Sequence, residues 1–455
     1  MAADSTREER TERHLDRLTE ALDSGTEHRV RRLLRSLTAG EIGDLLESLP
    51  IAKRLAVWEL TDPELEGDVL VEVNDEVRAS LIGASADEDL VAAVDDLDLD
   101  DLADILDDLP DTVISEVLRS LDRTERERLV HVLSYPEDSA GGLMDPDVLT
   151  VRPDVNLDVV LRYLRARQEL PEVLDQLFVV DRQGHYLGRL RLSDLLTGDP
   201  GSSVASLMET AIKPIPVDMS DSQVASEFEH RDLVSAPVVD LENVLLGRIT
   251  IDDVVDVIRE DAEHSVLTMA GLDEEDDMFA PVVNSALRRW IWLGVNLVTA
   301  LLAAVVLYAF EPTLDQIVAT AVLFPIVMSM GGIAGTQTLT LMVRGMATGQ
   351  VGAHNTSALL RKELAVGLLN GLVFSVVVAG VAMLWYGDIP LGLVMAAAIL
   401  VNLLAGALAG AVVPIVLRRL SIDPALAGGV VLTTVTDVIG IVAFIGLATF
   451  ILLGR

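Results

Sequence analysis

Five apolar runs crowd the C-terminal part of the chain, and they decide what it can fold into. They cover positions 290–310, 314–343, 364–386, 391–417 and 425–453. Each reaches the length of about 20 residues that carries a helix across a bilayer. Charge is segregated to match. Of 72 acidic and 34 basic residues, only six acidic and eight basic lie at or after Ser285, leaving 66 acidic and 26 basic before it. The front is therefore an acidic soluble region and the back a membrane domain. So strong a negative balance excludes nucleic acid as a partner. It fits a salt-adapted surface as well as a functional one. With no cysteine, disulfides and thiolate metal sites are excluded. The N-terminus, MAADSTREERTERHLDRLTE, is charged and has no apolar core, so it is not expected to be a signal peptide.

Asp437 is the one acidic residue inside the last run. A charge at bilayer depth costs at least ~2.5–3.5 kcal/mol on insertion scales, and such residues usually face water or an ion. Thr433 and Thr434 stand one helical turn before it and Gly440 one turn after, giving a polar, narrow face that suits an ion path. The bland reading is a protonated Asp bonded to a neighbouring helix. The second run holds Pro325 and then Met330-Gly331-Gly332-Ile333-Ala334-Gly335-Thr336-Gln337. Proline breaks the hydrogen-bond ladder and glycine permits unwinding, which membranes tolerate where backbone lines a cavity. Close packing through small residues is the alternative. Asn296, Asn370 and Asn402 read as hydrogen-bonding glue between helices.

Basic residues mark cytoplasmic loops. Arg288 and Arg289 precede the first run, Arg344, Arg361 and Lys362 follow the second, and Arg418 and Arg419 follow the fourth. The other two loops are acidic. This places the N-terminal domains in the cytoplasm and the C-terminus outside, in a multi-pass protein of the inner or plasma membrane, in contact with lipid.

The soluble region divides by pattern. Positions 1–134 read as short amphipathic helices with a repeated unit, Ile42-Gly43-Asp44-Leu45-Leu46-Glu47-Ser48-Leu49-Pro50 and Leu102-Ala103-Asp104-Ile105-Leu106-Asp107-Asp108-Leu109-Pro110. Helical hairpins stacked into an all-α superhelix are expected. Positions 135–205 hold the turn-rich linker YPEDSAGGLM and a first segment, and 206–258 a second; each segment reads as strand, helix, two strands and helix. Both copies share V-V-D, a short turn, L-G-R and a helix near Asp194 or Asp253. This resembles a tandem pair of CBS domains, an α/β regulatory module. Thr250-Ile251-Asp252-Asp253 looks like the ribose-contacting T-x-x-D of nucleotide-binding CBS domains, so Thr250 and Asp253 are tentative ATP contacts. Helix capping is the bland reading. Positions 259–287 are expected to hold a plug-like connecting helix, and 288–455 the five-helix transmembrane domain.

The order of these parts, with YPEDSAGGLM, GGIAGTQ and TTVTDVIG in place, resembles the MgtE family of magnesium channels across nearly the whole chain. That resemblance implies a homodimer whose pore is lined by the second and fifth spans. Asp437 would hold hydrated Mg²⁺. Thr433, Thr434, Gly440, Gly331, Gly332, Ile333 and Pro325 would line or border the path. The family commonly has Asn where Ile333 stands. The resemblance also implies closure by cytoplasmic Mg²⁺ bound among acidic residues of the helical, CBS and connecting-helix regions, with Asp253 and Asp256 at matching positions and Asp252, Glu260 and Asp261 beside them. The acidic stretch VDDLDLDDLADILDDL of the helical region reads as a solvated face or a weak divalent-cation binder. No nucleophile–base pair or P-loop suggests an enzyme. Export or exchange of divalent cations, and a membrane-tethered CBS sensor without transport, are the other readings.

Overall fold

A computed structural model describes residues 2–95, 97–167, 170–171, 173–272, 277–352 and 354–454. The chain divides into two compact units, Met1–Ala262 with Glu275–Ala280, and Glu263–Glu274 with Pro281–Arg455.

The first unit begins with ten helices among the described residues: α1 (Ala2–Asp23), α2 (Glu27–Leu34), α3 (Ala39–Glu47), α4 (Ile51–Trp58), α5 (Pro63–Glu72), α6 (Asp75–Ile82), α7 (Asp87–Val94), α8 (Leu99–Leu106), α9 (Asp111–Ser120) and α10 (Arg123–Val132). Thr38 and Glu41 close a reciprocal capping box on α3, which satisfies two otherwise orphaned backbone donors. The prolines of the repeated unit do double work in the chain. Pro50 and Pro110 lie beyond α3 and α8 and are the N-caps of α4 and α9. Helices α1, α3, α5, α7 and α9 pack each on the next, so the expected superhelical stack forms. Its apolar stripes merge into one core with Ile42, Leu46, Leu70 and Ile105 at full burial, each worth roughly 1.5–3 kcal/mol.

The linker is not a loose connector. Ala140 and Gly141 donate backbone hydrogen bonds to Met219 (2.7 Å) and Val217 (3.0 Å). Asp145 and Arg248 exchange backbone bonds and pair at 3.0 Å through side chains that are about nine-tenths buried. Two α/β repeats follow: β1 (Thr150–Val151), α11 (Leu157–Ala166), β2 (Gln176–Val180), β3 (Tyr186–Arg191) and α12 (Leu192–Thr197), then, after a short helix α13 (Val204–Leu207), β4 (Ile215–Pro216), α14 (Asp221–Arg231), β5 (Ser235–Val239), β6 (Leu245–Thr250) and α15 (Ile251–Met269). Each sheet pairs its first two strands in parallel and its last two antiparallel. The repeats join through Gln176 Nε2, which donates to Ser235, and through reciprocal backbone bonds between Gly184, Tyr186, Asn243 and Leu245. The tandem CBS reading is the observed fold.

Helix α15 departs from the expected connecting helix. It is continuous with the second repeat and stops at Met269, where Gly271 takes φ +73°, the left-handed conformation that only glycine adopts at no cost. A new helix starts at Val282.

The second unit has five helices long and apolar enough to span a membrane, among the described residues. They are α16 (Val282–Tyr308), α18 (Val318–Ala347), α19 (Thr356–Tyr386), α20 (Ile389–Arg419) and α21 (Pro424–Ile441), with a short α17 (Glu311–Gln316) after the first. The fifth span continues from α21 through π-helical turns at Val442–Gly446 and Thr449–Leu453. Helix α20 sits at the centre, packed by α18, α19 and α21. Its glycines let backbones touch: a Cβ on Gly406 would lie 2.5 Å from the Gly331 carbonyl, and one on Gly410 would lie 2.4 Å from that of Gly335.

A candidate ion path and a carboxylate seam

Asp437 lies thirteen positions into α21 and is half-buried. No protein donor or counter-charge reaches its carboxylate among the described residues. One turn earlier, Thr433 Oγ1 donates to the Gly429 carbonyl and Thr434 Oγ1 to that of Val430, both at 2.8 Å. Their hydroxyl protons are spent on the helix, so the remaining lone pairs are acceptors. The face around Asp437 is thus made of oxygen acceptors, which suits a hydrated cation.

The second span packs on the fifth through Leu339 and Leu432. It is helical without interruption from Val318 to Ala347, so the unwinding expected at Gly331-Gly332 does not occur. Gly331 is a contact point instead. A Cβ there would meet Asn402 Nδ2 at 2.2 Å. Gly440 faces the same amide, at 3.0 Å from a built Cβ. Both glycines serve packing at a junction of three spans. Asn402 is fully buried there and donates to the Val327 carbonyl at 2.8 Å, while its Oδ1 has no partner among the described residues. Asn402 is the inter-helix glue its sequence context suggested. Asn296 is exposed in the single chain. Pro325, Ser329, Ile333 and Thr336 form the exposed stripe of the second span, with half-buried Gly332 beside them; their three- and four-residue spacing puts them on one face.

The regulatory candidates lie along α15. Thr250 Oγ1 and N–H both donate to Asp253 Oδ2, at 3.0 and 2.8 Å, and Thr250 Oγ1 also bonds Asp252. The T-x-x-D stretch is therefore a helix cap in this structure. Asp261 accepts from Ser222 at 2.9 Å. Glu260 is exposed. Asp256 is raised above the usual carboxylate range by loss of water, and with Glu72 and Arg259 it forms one charged group.

The other half of this seam lies in the acidic stretch at positions 94–109, to which sequence reasoning assigned weak divalent binding without singling out residues. Asp100, Asp101 and Asp104 on α8 share an electrostatic neighbourhood with Asp253. Loss of water, then repulsion from Asp98 and Asp253, pushes Asp101 up to about 7. Loss of water, then Asp101 and Glu137, raises Asp104 to about 7. Asp253 rises to about 6, again chiefly by loss of water. Asp100 lies well above its ordinary value through loss of water, and its buried Oδ1 has no hydrogen-bond partner among the described residues. No three acidic or histidine side chains form a ready metal cage among the described residues. The donors are nonetheless hard carboxylate oxygens, one of them orphaned, which is the ligand type Mg²⁺ prefers.

In the second unit, Asp423 caps the fifth span by accepting from Ala425 N–H at 2.9 Å. Its other oxygen stands 3.9 Å from His264 Nε2 near the end of α15. Within the second unit, the last turns of α15 and the N-cap of the fifth span are thus neighbours.

These features define a class: multi-span cation-transport proteins that join an acidic, CBS-bearing soluble region to a bundle with one mid-span carboxylate. Comparison with known proteins agrees. The family profile described as MgtE, divalent cation transporter, matches residues 324–447; the MgtE intracellular N domain matches 37–138; and CBS domains match 140–200 and 204–260. The magnesium transporter MgtE of Thermus thermophilus is 30% identical over 440 residues, covering 96% of this chain and 98% of that protein. That of Bacillus subtilis is 28% identical over 382 residues, covering 84% and 85%. A crystal structure of the cytosolic domain of the Mg²⁺ channel MgtE in complex with ATP shares 31% identity, covering 53% of this chain and 99% of that one, with a TM-score of 0.49. The chain belongs to the MgtE family.

Proposed function

We propose that this protein conducts Mg²⁺ across a membrane and is closed by Mg²⁺ bound to its acidic soluble region. The observation that carries the conduction reading is Asp437: a carboxylate without a protein partner among the described residues, mid-span, on a face of acceptor oxygens. A sensor without transport has no use for such a charge. Two copies related by a two-fold axis would bring two Asp437 carboxylates toward one path, with the exposed stripe of Pro325, Gly332, Ile333 and Thr336 beside them. The basic loops support soluble domains in the cytoplasm and a C-terminus outside.

Closure is assigned to the seam of Asp100, Asp101, Asp104, Asp252 and Asp253, with Asp256, Glu260 and Asp261 further along α15. Mg²⁺ keeps its waters and needs only one or two carboxylates per site. Its binding there would hold α15, whose end reaches the Asp423 cap of the fifth span. ATP at the CBS pair would have to displace the cap that Thr250 makes with Asp252 and Asp253, so nucleotide and closure would compete for the same side chains. The protein does no covalent chemistry in this reading.

Liposome flux tests the path. Asp437→Ala and Asp437→Asn should abolish Mg²⁺ uptake or its preference over monovalent ions while the protein stays folded. Wild-type uptake by Asp437→Ala would remove Asp437 from the path.

A further inference from the structure

A second carboxylate is buried in the membrane unit, away from Asp437. Glu363, on α19, is only 6% exposed. It borders a cavity of about 90 Å³ between the second, third and fourth spans. Gln337, Thr338 and Asn370 supply the other polar side chains, and Leu403 and Ala407 form part of the wall. Among the described residues, none of the lining comes from the fifth span. Thr338 Oγ1 donates to Glu363 Oε2 at 3.2 Å, and Lys362 Nζ stands 3.2 Å from Oε1. The lysine side chain is 63% exposed and the carboxylate 8%. The ammonium therefore reaches the carboxylate from the exposed surface of the helix.

We infer that this cavity is a second cation site, which takes a partly hydrated divalent ion at Glu363 in exchange for the Lys362 ammonium. Glu363 stands at the edge of the third apolar run, and an ionisable group turned inward there beside a cavity marks an ion-handling position. The available donors, a carboxylate, a hydroxyl and two side-chain amides, are hard oxygens of the kind Mg²⁺ and Mn²⁺ accept. The cavity holds about three waters at ~30 Å³ each, enough for an ion that keeps part of its hydration shell but not all of it. Lys362 supplies the positive charge that an empty buried carboxylate needs, and its flexible, solvated stem lets it leave. The proposal stands on this cavity alone and does not require that Asp437 conduct.

The chain has no cysteine, so Leu341→Cys, at the cavity wall, takes a single nitroxide label. In full-length protein in nanodiscs, carrying Asp437→Asn to empty the other membrane carboxylate, added Mn²⁺ should quench the label and Mg²⁺ should restore it. Glu363→Gln should abolish the quenching. Lys362→Gln, which leaves Glu363 in place, should lower the Mn²⁺ midpoint by about tenfold. No quenching with Glu363 intact, or equal quenching with Glu363→Gln, would overturn the site. An unchanged midpoint in Lys362→Gln would overturn the exchange. A failure of the Asp437 flux test leaves this readout unaffected, so the two results are separable.

Discussion

Gly331 and Gly332 are chain neighbours with opposite surroundings. A Cβ on Gly331 would press on the Asn402 amide at 2.2 Å, whereas one on Gly332 would meet nothing within 4 Å. Gly331→Ala should displace Asn402 from the Val327 carbonyl and cost about 1–3 kcal/mol, as overpacking does. Gly332→Ala should be neutral or stabilise by up to about 1 kcal/mol, since alanine is the better helix former. Thermal unfolding in detergent would read the contrast; equal midpoints would contradict the packing assigned to Gly331. Ile333 is 56% exposed on the outward stripe and, among the described residues, touches no such packed junction. Ile333→Asn should change conductance or ion preference and leave the unfolding midpoint alone, as flux and melting together would show. Asp437 was legible in the sequence because a solitary charge in an apolar run is conspicuous. Glu363 was not, because it follows Arg361 and Lys362 at the edge of a run and reads there as an interfacial charge. Sequence gave two uses for the glycines, and only the packing of Gly331 against Asn402 separates them.

At the scale of elements, α8 and α15 illustrate how far local pattern reaches. The periodicity and Pro110 located α8, and T-x-x-D located the start of α15. Nothing in either segment says that their acidic faces meet, because that contact depends on how the helical stack packs against the second CBS repeat. The raised carboxylates of the seam give a pH signature with a definite sign. Asp101 and Asp104 at about 7 and Asp253 at about 6 hold protons in the packed seam that they would release when solvated. The packed state binds more protons, so it is favoured at low pH and loses stability as pH rises through about 6–7. Without Mg²⁺, protection factors in α8 and α15, corrected for the pH dependence of intrinsic exchange, should be higher near pH ~5.5 than at pH ~8. Mg²⁺ replaces the protons and should restore protection at the higher pH. Its midpoint should fall by on the order of tenfold per pH unit for each proton displaced. Protection that rises with pH in the absence of metal would reverse the assignment.

For the whole molecule, the question is whether the acidic front is a ligand-driven device or a solvated, salt-adapted surface. The region before Ser285 carries 66 acidic against 26 basic residues, and such a charge opposes its own compaction. A surface adapted to salt is relieved by screening, which any monovalent salt supplies. Carboxylates gathered at a seam need an ion that bridges them. A ligand shifts a conformational equilibrium only by its differential affinity for the two states. Turning a mostly open population mostly closed takes ~5.5 kcal/mol, within reach of several weak sites acting together. Millimolar Mg²⁺ should therefore protect the stretch between Asp138 and Asp277 from limited proteolysis, while KCl at matched ionic strength should not. Neutralising Asp253 and Asp256 together should remove the Mg²⁺ protection and leave a protein that conducts at high internal Mg²⁺. Equal protection by both salts would show that screening, and not bridging, holds the soluble region together, and the closure mechanism would fall while the Asp437 path remained to be judged on its own flux.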